Sequence, residues 1–267
     1  MSQPPLPGAR ERWALFLDID GTLLPIAATP WAVQVEPGLL VLLARLQDAC
    51  GGALALVSGR RLQDIDRLFQ PLHWPAAGLH GWERRRADGR LAEAGAPAAA
   101  LDALRPNLAQ YVAARPGLLL EDKGMSIAIH YRQAPRVGPE LGRFVHGLAA
   151  AAPQLRVMQG KMLFEVMPCG TDKGSAVAQF LAEPPFAGRR PVYAGDDTTD
   201  EDGFAVVNRL DGLSIRVASQ GRQASTARFR LASPSALRRW LAAVAAQLGG
   251  EYAPGQGTAG AQRAFSR

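Results

Sequence analysis

Two carboxylates, a glycine and a hydroxyl follow one another closely in Asp18-Ile19-Asp20-Gly21-Thr22. At the end of a strand, Asp18 and Asp20 would point to the same side, because strand side chains alternate with period two. Like charges that close need a proton or a cation between them. A magnesium ion, which takes oxygen ligands and keeps waters or phosphate oxygens, meets that need. Gly21 permits a sharp turn and a close approach to a phosphate. The competing reading is an Asp-Gly turn with a capping threonine. A second acidic run, Gly195-Asp196-Asp197-Thr198-Thr199-Asp200-Glu201-Asp202, could complete an octahedral metal site. It could also simply place acids at a helix N-terminus, where the macrodipole favours them. Ser58-Gly59-Arg60 offers a hydroxyl and backbone N–H groups at a helix start, an anion seat, although serine is also a common N-cap. Thr171-Asp172-Lys173-Gly174 puts a cation into a first helical turn, which the dipole disfavours unless an anion lies nearby.

The elements that must position these groups follow an alternating rhythm. Trp13 to Leu17 and Ala53 to Val57 are short apolar runs ending in polar residues, as buried parallel strands do. Helical spacing covers Pro37 to Ala49 and continues after Arg60 to about Phe69, with a third strand-like segment at Ala77 to His80. Strand, helix, strand, helix, strand predicts a doubly wound α/β domain. After Gly81 the rhythm changes. Asp88-Gly89 is a hairpin turn signal, and Arg84-Arg85-Arg86 beside it reads as a solvated cluster. Ala98 to Ala114 can be a helix that Pro106 bends or interrupts. Strands are expected at Leu118 to Glu121, Ser126 to Tyr131, Leu155 to Gln159 and Met162 to Met167, with a helix over Val137 to Ala151. The first rhythm resumes with helices from Lys173, near Asp200 and from Pro234, and strands at Arg190 to Ala194 and Leu213 to Val217. The expected organisation is a core of residues 1–104 and 169–248, an α+β cap over 105–168, and a frayed tail over 249–267.

Composition narrows the function classes. The chain has 267 residues, with 48% hydrophobic and 20% charged, an ordinary globular balance. No apolar run approaches the ~20 residues of a membrane span. The opening MSQPPLPGARER lacks the apolar stretch of a secretory signal. Cys50 and Cys169 make neither a disulfide framework nor a zinc spacing. A cytoplasmic monomer without membrane association is expected. The formal net charge of +6 is spread along the chain rather than gathered in one block, which argues against nucleic acid and is compatible with an anionic small substrate.

Taken in order, Asp-x-Asp-Gly-Thr, Ser, Lys and Gly-Asp-Asp, each after a strand, resemble the haloacid dehalogenase superfamily. The insert between the third strand and the lysine motif is similar to that superfamily's C2-type cap. Gly78 to Glu83, Ser126 to Arg132, Gly160 to Glu165 and Gly195 to Glu201 are similar to the trehalose-6-phosphate phosphatases. The likeness spans about Trp13 to Leu248. It departs at Met167-Pro168-Cys169, where an Arg-Pro-like pair is expected of the family.

The resemblance implies a magnesium-dependent phosphatase of a small sugar phosphate, with trehalose 6-phosphate as the first candidate. Sucrose phosphate and mannosylglycerate phosphate remain alternatives. It makes Asp18 the nucleophile and a metal ligand, and Asp20 the acid and base, with its backbone carbonyl on the metal. Asp196 becomes the further ligand, while Asp197 and Asp200 orient it. Thr22, Ser58, Gly59 and Lys173 would hold phosphate oxygens. Arg60, His80, Glu121, Lys123, His130, Lys161 and Glu165 are the substrate-binding candidates, although each cap residue also fits a polar strand edge. Two other classes compete. A signalling receiver domain also groups acids, a hydroxyl and lysine around a phosphorylated aspartate, but it is shorter and has no cap. A non-catalytic binding protein would not need every one of these groups.

Overall fold

The computed structural model describes residues 2–8, 10–27, 32–93, 98–218 and 224–249. In chain order β1 (Trp13–Leu17), α1 (Pro37–Ala49), β2 (Leu54–Val57), α2 (Leu62–Phe69) and β3 (Ala76–Gly78) are followed by the hairpin β4 (Glu83–Arg85) and β5 (Leu91–Glu93). The middle of the chain forms α3 (Ala98–Ala113), β6 (Leu119–Asp122), β7 (Ile127–His130), α4 (Gly138–Ala150), β8 (Leu155–Gly160) and β9 (Leu163–Pro168). The last third forms α5 (Lys173–Leu181), β10 (Arg190–Gly195), α6 (Glu201–Arg209), β11 (Leu213–Val217), β12 (Phe229–Leu231) and α7 (Pro234–Gly249).

Among the described residues the strands make two sheets, one ordered β12-β11-β10-β1-β2-β3-β4-β5 and one ordered β6-β7-β9-β8. The large sheet is parallel from β12 to β3, and the β4–β5 hairpin closes one edge antiparallel. Every residue of β1 is buried, as expected of a central strand covered on both faces. Alternation along β1 shows what covers it. Trp13 stacks on Trp240 of α7, while Phe16, on the opposite face, meets Phe180 of α5. The chain moves outward from β1 to β2 and β3 on one side and through β10 to β12 on the other. The strand order therefore reverses between β1 and β10, the place where doubly wound sheets leave a crevice at the carboxyl strand ends. No helix among the described residues is long and apolar enough to cross a membrane.

The antiparallel second sheet packs against α3 and α4 through a separate apolar cluster that includes Leu101, Leu108, Ile129, Leu141 and Val166. The boundary expected at 104/105 falls inside α3, whose Leu101, Leu104, Leu108 and Tyr111 all join that cluster. Helix α3 runs unbroken through Pro106. An interior proline costs about 3 kcal/mol, whereas fully burying one large apolar side chain contributes ~1.5–3 kcal/mol, so four such residues outweigh it.

Three further expectations change. The third strand ends at Gly78 rather than His80, because the backbone turns into left-handed conformations at Leu79 (φ 48) and His80 (φ 56). Hydrogen bonds from Leu79 N to Arg60 O (2.8 Å) and from His80 N to Ser58 O (3.0 Å) hold this turn. The arginine cluster is not simply solvated: buried Arg84 pairs with Glu183 and lies over the Phe180 ring, and Arg85 forms a two-bonded pair with Asp66. Strand β12 adds an edge that no local pattern marks, since Phe229-Arg-Leu231 is too short to show a period. Residues 250–267 of the expected tail lie outside the described residues.

Candidate active site

The carboxyl ends of β1 and β10 lie side by side, with Leu17 paired to Ala194. Asp18 and Asp196 therefore leave neighbouring strands at the crevice. Two glycines make the close approach possible. Gly21 has φ +82, and a Cβ there would fall 2.1 Å from Asp196 Oδ2. A Cβ on Gly195 would sit 2.2 Å from Asp200 Cγ. Lys173, the first residue of α5, reaches between the acids. Its Nζ donates to Asp18 Oδ1 at 2.8 Å and to Asp200 Oδ1 at 2.7 Å. The cation that the α5 dipole disfavours thus has two carboxylates to compensate it, and Asp172 caps the helix through a capping box with Ser175.

Asp200 is fully buried and acts as an organiser. Besides Lys173 it accepts from the Tyr193 hydroxyl at 2.8 Å and from the backbone N–H groups of Asp196 and Asp197 at 2.9 Å each. Burial by itself would raise its pKa, but Lys173 and these donors outweigh it and hold the group below the usual aspartate value. Asp18 and Asp196 go the other way. Burial pushes Asp18 well above the ordinary range; Lys173 opposes this, and Asp200 and Asp196 reinforce it. Asp196 is pushed up to about 6, again chiefly by burial. Lys173 itself is raised, because Asp18 and Asp200 more than offset the penalty of burying its charge. With Asp200 satisfied by four donors, the cost of crowding buried carboxylates falls on Asp18 and Asp196, whose ionised forms it disfavours.

Ligand atoms of Asp18, Asp196 and Asp200 lie within 4.8 Å of one another. Clustered carboxylate oxygens are the donor set a hard divalent cation prefers, and its charge would offset the mutual repulsion of the ionised groups. The residues therefore fit magnesium. Thr22 is buried beneath them, its Oγ1 3.5 Å from Asp196 Oδ1.

Above this floor opens a cleft lined by residues of both sheets. From the core, Asp20, Ser58, Gly59, Arg60 and His80 face it, together with Asp18, Lys173, Asp196 and Asp197. Arg60 holds Asp20 through two bonds of 2.7 Å, and the Ser58 hydroxyl accepts from Arg60 N. From the second sheet come Glu121, Lys123, His130, Lys161 and Glu165. Glu165 is 2% exposed and collects Ser126 Oγ at 2.6 Å, Lys123 Nζ at 3.1 Å and His80 Nε2 at 3.4 Å. Burial would raise it, yet Lys123, His80 and Ser126 together hold it far below the usual glutamate value. Glu121 faces His130 at 2.8 Å. Lys161 pairs with Asp196, and Lys123 also donates to Gly59 O at 2.9 Å. The second sheet therefore sits directly over the acids.

Of the residues picked out in the sequence, Thr22 and Asp200 do not line the cleft; they lie behind those that do. Arg132, Thr199 and the apolar Val33, Met158 and Leu163 line it as well, beyond the residues that sequence reasoning selects. Arg132 follows His130 by two positions on a strand end, a signal available in the sequence. The apolar residues carry none.

The trehalose-phosphatase family profile matches residues 16–235. The chain is 49% identical to a protein of Sinorhizobium fredii named probable trehalose-phosphate phosphatase, over 88% of each chain. It is 43% identical to the trehalose-6-phosphate phosphatase of Escherichia coli, covering 88% of this chain and 87% of that one. A crystal structure described as a trehalose-6-phosphate phosphatase related protein superposes with a TM-score of 0.74 at 27% identity, over 89% of this chain and 98% of the other. The fold, a doubly wound core with a second sheet set over its strand ends, is shared with a Bacteroides thetaiotaomicron protein described among phosphatases of the haloalkanoate (HAD) enzyme superfamily, at a TM-score of 0.57 and 17% identity. With the profile spanning residues 16–235 and the two relatives 49% and 43% identical, the chain belongs to the trehalose-phosphatase family.

Proposed function

We propose that this protein hydrolyses trehalose 6-phosphate to trehalose and phosphate, through a phosphoryl group carried transiently on Asp18. The observation that carries the reading is the grouping of Lys173 with Asp18, Asp200 and Asp196 at the floor of a cleft roofed by polar cap residues. Asp18 and Asp196, with the backbone carbonyl of Asp20, would hold magnesium, which supplies charge neutralisation around the transferring phosphoryl group.

Asp18 attacks phosphorus, and the bond to the sugar oxygen breaks as Asp20 gives that oxygen its proton. Asp20 then takes a proton from water, the water oxygen attacks phosphorus, and the bond to Asp18 breaks, releasing phosphate. Two easier displacements replace one difficult one, with a single carboxyl alternating as acid and base. Ser58, the Gly59 backbone and Lys173 bind phosphate oxygens, Thr22 supports Asp196 from behind, and Lys173 balances charge as it shifts toward the phosphoryl oxygens. Asp197 and Asp200 orient the metal-binding loop.

Residues 98–168 act as the cap. Glu121, Lys123, His130, Lys161 and Glu165, with Arg60 and His80 below, present donors and acceptors for the sugar hydroxyls. A closed cap excludes water from the phosphoryl group. We infer a cytoplasmic monomer acting on a free sugar phosphate; the unpaired Cys50 and Cys169 suit a reducing compartment. Phosphate release measured across a panel of sugar phosphates tests the substrate. A clear preference for trehalose 6-phosphate over sucrose phosphate and mannosylglycerate phosphate is expected, and its absence would refute the assignment.

A further inference from the structure

The turn between β8 and β9 reaches down onto the acids of the core. Lys161 Nζ forms an ion pair with Asp196 Oδ2. The same turn is tied to the same core loop a second time, by Thr198 Oγ1 donating to Gln159 O at 3.2 Å. Met162, the next residue, has φ 64, the left-handed geometry that favoured two-residue hairpin loops use. The turn sets its lysine on a carboxylate that is 3% exposed.

Asp196 then serves two cations. In the phosphatase function proposed for this site, on which this inference rests, its carboxylate also binds a divalent metal. An ammonium and a divalent cation sharing one carboxylate repel each other, and each weakens the other's hold. We propose that Lys161 sets the metal affinity of the site: cap closure lays its ammonium on Asp196, so closure and cation binding oppose one another. Linkage makes the opposition reciprocal, so a cation on Asp196 loosens the closed cap by the same factor. The cap has other holds on the core. Lys123 donates to Gly59 O at 2.9 Å, and Arg156 Nη2 donates to Thr171 O at 2.7 Å. Removing the lysine charge therefore leaves closure its remaining contacts and isolates the electrostatic effect.

The test is Mn²⁺ binding to the full chain without substrate, followed by the electron paramagnetic resonance signal of the free ion. Lys161→Met should bind Mn²⁺ at least about five-fold more tightly than wild type, the lower end of ordinary coupling between sites. Lys161→Arg keeps the charge and should stay within about two-fold of wild type. Asp196→Asn examines the ligand assignment itself and should lose binding. Wild-type affinity in Asp196→Asn would remove the underlying reading. Loss in Asp196→Asn beside unchanged or weaker binding in Lys161→Met would overturn this inference alone. An equal gain in Lys161→Arg and Lys161→Met would overturn it too, since charge would not be the cause.

Discussion

Replacing Glu165 by glutamine removes one negative charge from the centre of the cap–core junction while keeping the side chain's shape. The carboxylate is 2% exposed, and buried Lys123 and His80 both point at it. Breaking a buried ion pair from one side costs about 3–5 kcal/mol, because the remaining charge is left buried without its partner. The lower figure applies, since a glutamine oxygen can still accept from Ser126, and Lys123 keeps Gly59 O. For a chain of this size each kcal/mol lowers Tm by roughly 2–4 °C, so about 3 kcal/mol corresponds to roughly 6–12 °C.

The effect depends on pH in one direction. Burial works to raise the Glu165 pKa, but Lys123, His80 and Ser126 bring it well below the unfolded value of 4.5. The group's contribution is therefore full above that value and is lost as pH falls toward the folded one. Glutamine does not titrate. The gap between wild type and variant should thus be largest at neutral pH and should shrink by roughly 2 kcal/mol by about pH 3. Thermal and urea unfolding of both proteins between neutral and acid pH measure this. A Glu165→Gln protein as stable as wild type at neutral pH, or a gap that stays constant on acidification, would refute the argument.

Asp18→Asn should abolish turnover, because an amide is neither nucleophile nor good ligand; phosphate release at the wild-type rate would end the covalent mechanism. Asp20→Asn should slow both half-reactions yet leave Mn²⁺ affinity close to wild type, since the proposed ligand there is the backbone carbonyl, and a lost affinity would contradict that division. Gly195→Ala would drive a Cβ to within 2.2 Å of Asp200 Cγ; displacement of Asp200 should lower kcat more than ten-fold (~1.4 kcal/mol or more) in a protein whose circular dichroism is unchanged. Native alkylation at about pH 8 should label Cys169, which is exposed, and spare Cys50, which is 1% exposed and whose thiol burial pushes up to about 12. Peptide mass spectrometry showing Cys50 labelled at the same rate would contradict its packing.

Much of the core and the chemistry is legible in the residues themselves. Apolar runs such as Trp13 to Leu17 and Arg190 to Ala194, short and followed by polar residues, read as buried strands, and parallel strands deliver the residues at their carboxyl ends to one rim. Asp18 and Asp196 can therefore be placed together without coordinates, and the family resemblance adds Lys173 to them. The local signals fail where the deciding partner is distant. Arg84 looks solvated because Glu183 is 99 residues away. Pro106 looks like a break because the apolar cluster that holds α3 together is assembled from the whole second sheet.

The tertiary structure alone decides which charge meets which. Nothing local to Glu165 announces that Lys123 and His80 will converge on it, or that Asp200 will gather Lys173, Tyr193 and two backbone N–H groups. Nor does Lys161, at the tip of a cap hairpin, signal that it will lie on Asp196. The period of a strand or helix reports which face is buried. Electrostatic pairing depends on distances between segments far apart in the chain, and only the packed fold sets those.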